Sequence, residues 1–255
     1  MNRPHRVLLS LLACTALATA AHAGPGVNLA WNNCPSGAGS APQHPFDCDD
    51  DVSLHTVVAS FVAPEGITQL MSQSATIDVM FADPQQPDWW ALEAGGCREG
   101  SVVAGFTPAS MTGCTRYWSG QAVSSVMLSH PFGGPNLRIE VALGSVSGTG
   151  GPLVAEREYY AFQLQFTSEH TTGADPATCS GCNGTACLFL QELRLFQPPG
   201  LGDYILGNPL SSNLAVWQCG TFTIADPGGI IGCAASNCPV PAKRTSWGHV
   251  RSLYR

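Results

Sequence analysis

Hydrophobic and polar side chains alternate with a period of two along three stretches of the chain. Ala75, Ile77, Val79 and Phe81 fall on one side of an extended segment, with Thr76, Asp78 and Met80 on the other. Leu137, Ile139, Val141 and Leu143 repeat the pattern against Arg138 and Glu140, as do Phe162, Leu164 and Phe166 against Gln163, Gln165 and Thr167. Successive side chains of a strand point to opposite faces, so each stretch predicts a strand with one buried face. Further strands are predicted over 52–62, 101–105, 121–129, 186–196 and 214–224. In 186–196 the apolar phase slips at Gln191-Glu192, the mark of a β-bulge. Glycine- and proline-rich turns such as Ala63-Pro64-Glu65-Gly66 and Pro198-Pro199-Gly200 separate the runs. About eight or nine strands, with no long helical stripe and no linker, predict an all-β chain. The expected architecture is one antiparallel β-sandwich over 24–242.

The N-terminus reads differently. Arg3, His5 and Arg6 accompany an apolar run from Val7 to Ala20, and Ala21-His22-Ala23 has the small-x-small form of a cleavage site. This predicts a signal peptide over 1–23 and a secreted or periplasmic product. The run is shorter than the roughly 20 residues a helix needs to cross about 30 Å of hydrocarbon, and no transmembrane segment is predicted elsewhere. A rival reading takes Leu11-Leu12-Ala13-Cys14 as a lipoprotein site with Cys14 acylated. It leaves an apolar core of only Val7 to Leu12 and an apolar tether, which argues against it.

Beyond the signal lie Cys34, Cys48, Cys97, Cys114, Cys179, Cys182, Cys187, Cys219, Cys233 and Cys238. An even set can pair completely in an oxidising compartment, so these read as disulfides. Cys179-Ser-Gly-Cys182 has the spacing of a thiol oxidoreductase or half a zinc site. Asn183-Gly184 follows, however, where a reactive thiol would need the start of a helix. Neighbour pairing would close Cys34–Cys48 and Cys97–Cys114. Two clusters of three then remain, and odd clusters require a bridge between them, tying the 179–187 loop to the 219–238 region.

Composition narrows the partners. Charged residues make up 11% of the chain, against about 25% in average soluble domains, and the formal net charge is −7. An acidic surface repels phosphates, so nucleic acid is not expected as a partner. Lys243, Arg244, Arg251 and Arg255 crowd residues 243–255, which hold no acid. That basic tail is either a docking element or a segment packed on its own domain.

Two side-chain groups are candidate sites. Asp47, Asp49, Asp50 and Asp51 surround Cys48, and calcium takes six to eight oxygen ligands of this kind. The run lacks the alternation, glycine and terminal glutamate of an EF-hand loop, and its alternative is a solvated acidic loop. No other cofactor is expected. Trp89-Trp90, Tyr117-Trp118 and Tyr159-Tyr160 are adjacent aromatic pairs, and on a strand one member of each pair would face outward. With Asp88, Glu93 and Arg116 near by, exposed rings could stack on sugars. The alternative is a two-layered fold whose loops bury every ring.

No catalytic residue is assigned. Gly144-Ser145-Val146-Ser147-Gly148 places valine where a nucleophile elbow needs serine, and no zinc-protease or phosphate-loop motif occurs. Glu156 and Glu158 would share a face, but paired-carboxylate chemistry needs a partner across a cleft.

At the C-terminus, Ser246 could cap a helix with Trp247, Val250 and Tyr254 on one face. The segment Thr245-Ser246-Trp247-Gly248 through Ser252-Leu253-Tyr254-Arg255, the opening Val27 to Cys34 and the Cys-Ser-Gly-Cys motif together resemble uncharacterised exported bacterial proteins with a cysteine-rich β-domain. The resemblance implies export and carries over no functional residue. The sequence thus predicts an exported, non-catalytic binding or structural β-sandwich whose partner is an extracellular glycan or surface protein. The alternatives are a secreted glycan-acting hydrolase using acids near Trp89-Trp90, and a calcium-stabilised extracellular structural module.

Overall fold

Two β-sheets pack face to face, and the alternating residues just described fill the space between them. The computed structural model describes residues 26–106, 111–118, 122–131, 134–145, 151–173, 178–207, 212–225 and 229–236. The signal peptide, Cys14, Cys238 and the basic tail with its expected helix lie outside these residues.

The strands are β1 (Val27–Trp31), β2 (Gln43–His44), β3 (Leu54–Val62), β4 (Ser72–Phe81), β5 (Val102–Gly105), β6 (Ala122–Ser129) and β7 (Leu137–Ser145). There follow β8 (Glu158–Thr167), β9 (Ala186–Phe196), β10 (Tyr204–Leu206), β11 (Leu214–Trp217), β12 (Gly220–Ala225) and β13 (Gly229–Ala235). The smaller sheet runs β1-β3-β8-β5 and the larger β2-β11-β9-β4-β7-β6, with β10 also on β9 and β12–β13 forming a hairpin. Every pairing is antiparallel except β2 with β11. The chain is therefore an antiparallel β-sandwich, with β1, β2, β10 and β13 added to the strands expected from alternation and the strand expected over 214–224 divided at Gln218 into β11 and β12.

Ile77, Val79, Ile139, Leu190 and Leu193 from one sheet meet Val57, Phe61, Phe162, Leu164 and Phe166 from the other in one continuous core. At one end the core is almost wholly aromatic. Trp31, Trp89, Trp90 and Trp217 are all fully buried, and the Trp217 ring lies 4.4 Å from Trp89 and 4.2 Å from Phe46. The bulge expected in 186–196 is present. Thr76 pairs with Glu192 and Ile77 with Leu190, so the ladder passes over Gln191 and the apolar phase changes there.

The disulfides differ from neighbour pairing. Cys34 joins Cys114, Cys48 joins Cys182, and Cys97 joins Cys179. The closed loops expected at Cys34–Cys48 and Cys97–Cys114 do not form, because strand pairing carries each cysteine to a partner remote in sequence. A bridge does connect the two clusters of three, as Cys187–Cys233, and Cys219 is also disulfide-bonded. Cys179 and Cys182 pair with different partners, so their motif is neither a redox pair nor a metal knuckle.

Two of the bridges fasten covers over the outer faces. Cys34–Cys114 holds the flanking segments against Val58 and Tyr160 on the outer face of the smaller sheet. Tyr159 and Tyr160 consequently face opposite ways and are both buried. Cys187–Cys233 anchors the β12–β13 hairpin near β4, where outward-directed Met80, Cys187 and Val216 are buried.

Candidate functional site

Among the described residues, the rest of the outer face of the larger sheet, across β6, β7, β4 and β9, is at least partly exposed. Strand register sets its side chains in rows, about 7 Å apart for every second residue. The first row is Val123, Gly144, Ser72 and Phe196 across β6, β7, β4 and β9. The second is Ser125, Ala142, Ser74 and Arg194, continued by Ile205 of β10, and the third is Met127, Glu140, Thr76 and Glu192. The central strands contribute small residues to the first two rows, and the flanking strands contribute Val123, Phe196 and Arg194 with one small residue, Ser125. The result is a trough of 490 Å³ floored by Ser72, Ser74, Ala142 and Gly144, with Val123 and Phe196 at its sides.

Apolar side chains on the same face are exposed, Val123 at the trough and Met127 and Ile205 beside it. Val123, Met127 and Ile205 are 59%, 61% and 59% exposed, values usual for lysine rather than for aliphatic side chains. Toward the covered end the face turns ionic. Arg138 donates to both oxygens of Asp78, at 2.7 and 3.1 Å, and Gln191 at the bulge donates to the same carboxylate. Hydrogen bonding to Asp78 strengthens the hold of Arg138 on its proton. Arg194 and Glu192 pair at 3.1 Å on the β9 side. The trough thus offers apolar contact and hydroxyl groups at one end and fixed charge at the other. Serine, alanine and glycine at outward strand positions, where charged residues are usual, were the sequence signal for it.

Of the two readings of the aromatic pairs, the structure places Trp89-Trp90 and Tyr159-Tyr160 in the buried one. Trp89 and Trp90 are fully buried because they lie on a single 3-10 turn, Asp88–Trp90, and both rings turn into the core. Trp89 Nε1 donates to Thr171 Oγ1 at 2.9 Å, and the Arg98 guanidinium stacks 3.5 Å from its ring. Tyr117 and Trp118 are half-buried and lean together at 4.5 Å. Tyr117 Oη donates to Gln73 Oε1 at 2.8 Å, and burial pushes its pKa up. Trp89 and Trp90 are core rings, and Tyr117 and Trp118 pack against the core.

The acids near them are each engaged elsewhere. Asp88 accepts from Ser180, Glu93 sits 3.4 Å from His130 Nε2, and Glu158 accepts from Ser36 and Ser60. Glu156 occupies a turn with φ of 62°. In the acidic run, Asp50 accepts from the backbone of Val52 and Ser53 and from Ser53 Oγ, and Asp51 from Thr172 N and Oγ1. Those bonds lower both carboxyl pKa values. Asp47 and Asp49 are exposed. Among the described residues no group of three or more His, Cys, Asp or Glu side chains is placed to hold a metal ion.

One buried group titrates. His55 Nε2 and Ser168 Oγ lie 2.8 Å apart in a hydrogen bond, enclosed by Phe46 and Trp217. Both residues are buried, at 7% and 1% exposure, so the pair cannot meet a substrate. Burial lowers the His55 pKa from 6.5 to about 4, with Arg98 and His44 acting the same way and Asp50 opposing. The unfolded chain then takes up a proton near pH 6.5 that the native chain refuses until about pH 4. Stability is expected to fall by about 3 kcal/mol as pH drops through that window, and His55→Phe to remove this part of the slope. Urea midpoints measured from pH 7 to pH 4 decide it, since an unchanged slope in the variant would exclude His55 as its source.

No protein-family model and no curated protein matches the chain. Among solved structures, it is similar to a cohesin module from the family 33 glycoside hydrolase of Clostridium perfringens ATCC13124. That likeness covers 75% of this chain and 96% of the other, at 10% sequence identity and a TM-score of 0.30. A superposition of that quality assigns neither a family nor a ligand.

Proposed function

We propose that this chain is an exported, non-catalytic β-sandwich that binds a protein partner through the trough on the outer face of its larger sheet. The observation that carries this reading is the contrast across that face. A disulfide-anchored hairpin buries Met80, Cys187 and Val216 at one end, while Val123, Met127 and Ile205 stand exposed at the other. Apolar walls, Val123 and Phe196, over a floor of two serines, an alanine and a glycine suit the mixed apolar and polar surface of a protein. A glycan would call for an exposed aromatic platform, and the candidate rings are in the core or half-buried. Four disulfides support an oxidising, extracytoplasmic setting.

Ala142 is exposed at the centre of the floor. Ala142→Arg is expected to fill the trough and abolish partner binding, with stability changed by no more than about 0.5 kcal/mol. The assay places a photo-crosslinking residue at Ser125 in producing cells. A discrete protein adduct that Ala142→Arg removes supports the reading. No adduct, or the same adduct from a crosslinker at 90%-exposed Val52, sinks it.

A further inference from the structure

We propose that β6 is a self-pairing edge, through which two copies of this chain join their larger sheets into one. An unpaired strand edge presents backbone donors and acceptors to any extended chain, and monomeric proteins shield such edges with charge, proline, bulges, covering segments or shortness. The other edges of the two sheets are shielded. β1 is buried throughout, with Leu29 N donating to the Ser212 carbonyl and Trp31 N to that of Ala41. β5, β2 and β10 have only four, two and three residues.

Among the described residues β5 packs beside β6, which is shielded by neither charge, proline, bulge nor shortness. Its eight residues, Ala-Val-Ser-Ser-Val-Met-Leu-Ser, include no charge and no proline. It pairs with β7 without a bulge over its whole length. Among the described residues no backbone hydrogen bond links it to any other segment. β5 meets it by a side chain, Ser124 Oγ donating to the Ala104 carbonyl at 2.8 Å. The strand's outward side chains, Val123 and Met127, are among the most exposed apolar groups of the described residues.

The residue pattern selects the second copy as occupant. In an antiparallel self-pair the two faces stay in phase only when the two-fold axis passes through a residue. Centred on Ser125, the axis places Val123 of one copy opposite Met127 of the other, twice, and Ser125 opposite itself. The exposed aliphatic groups then cover each other as cross-strand neighbours. No like charges meet within the pair, although the chain as a whole is acidic.

Sedimentation velocity of the purified, oxidised chain from about 1 to 100 µM tests this. A concentration-dependent dimer is expected, weakened at least about tenfold by Val123→Lys or by Met127→Lys. The double variant Val123→Lys/Met127→Glu is expected to recover association, because each introduced lysine then faces an introduced carboxylate. Ser125→Cys is expected to form a dimer-linking disulfide. A chain that stays monomeric at every concentration overturns the proposal, as does a dimer unaffected by both lysine variants. Ala142→Arg lies off the edge and is expected to leave the dimer intact, so failure of trough binding and failure of pairing are read separately. Thermal melts of each variant verify folding, which these exposed positions leave intact.

Discussion

Arg98→Leu is expected to destabilise the protein by about 3–5 kcal/mol, read as a fall in the urea midpoint at pH 7. Arg98 is fully buried, and its guanidinium is held by three backbone carbonyls: Trp89 at 2.8 Å, Glu169 at 3.1 Å, and Thr167. Burial pulls its pKa down to about 10, so it is charged at neutral pH. Leucine would leave those carbonyls without their donor and remove the stack on Trp89, while filling part of the volume. Arg98→Lys keeps the charge but loses the planar fork, and should recover part of the stability. A change below about 1 kcal/mol for leucine would mean that the Trp89 turn and the end of β8 do not depend on this link.

The double variant Cys48→Ala/Cys182→Ala should cost a similar amount. This bridge closes 134 residues, the longest loop of the four, and in the chain-entropy account it restricts the unfolded state by about 5 kcal/mol. Its native surroundings are also organised. The Cys182 carbonyl accepts from Trp217 Nε1 at 2.7 Å and from Gln218 Nε2 at 3.3 Å, and Gln218 also bonds the backbone of Phe46. Equilibrium unfolding under non-reducing conditions checks the expectation. A loss under about 1 kcal/mol would show that the aromatic end of the core holds the 48 and 182 loops together unaided.

Strands that bury one face were legible because alternation is a direct imprint of that burial. β7 matches it, β4 does so as far as Val79 before Met80 is buried beside the β12–β13 hairpin, and the slip at Gln191 marks a real bulge. β1 was not legible, since Val27 to Trp31 is buried throughout and leaves no alternation to read. The aromatic pairs were ambiguous in sequence, and two structural features decide their burial. Trp89-Trp90 is a turn and not a strand, and Tyr159-Tyr160 does alternate but meets a disulfide-held cover on its outer side. Neighbour pairing failed for Cys34, Cys48, Cys97 and Cys114 because partners are set by sheet order, whereas the bridge expected between the two clusters of three is present as Cys187–Cys233. The trough depends on small residues from separate strands falling in register. Each of Ser72, Ser74, Ala142 and Gly144 is unremarkable alone, and only strand pairing turns them into a floor.

The crosslink pattern also constrains how the chain matures. In an oxidising compartment entered N-terminus first, Cys34 and Cys48 would be exposed before their proper partners exist, and the Cys34–Cys114 loop encloses both Cys48 and Cys97. An oxidase that joins thiols in order of appearance would therefore make mispaired species first. Native connectivity would then be reached by exchange through mixed disulfides, with the sandwich itself acting as the template that selects among them. Yield in the producing cell should depend on a disulfide isomerase more than on the rate of oxidation.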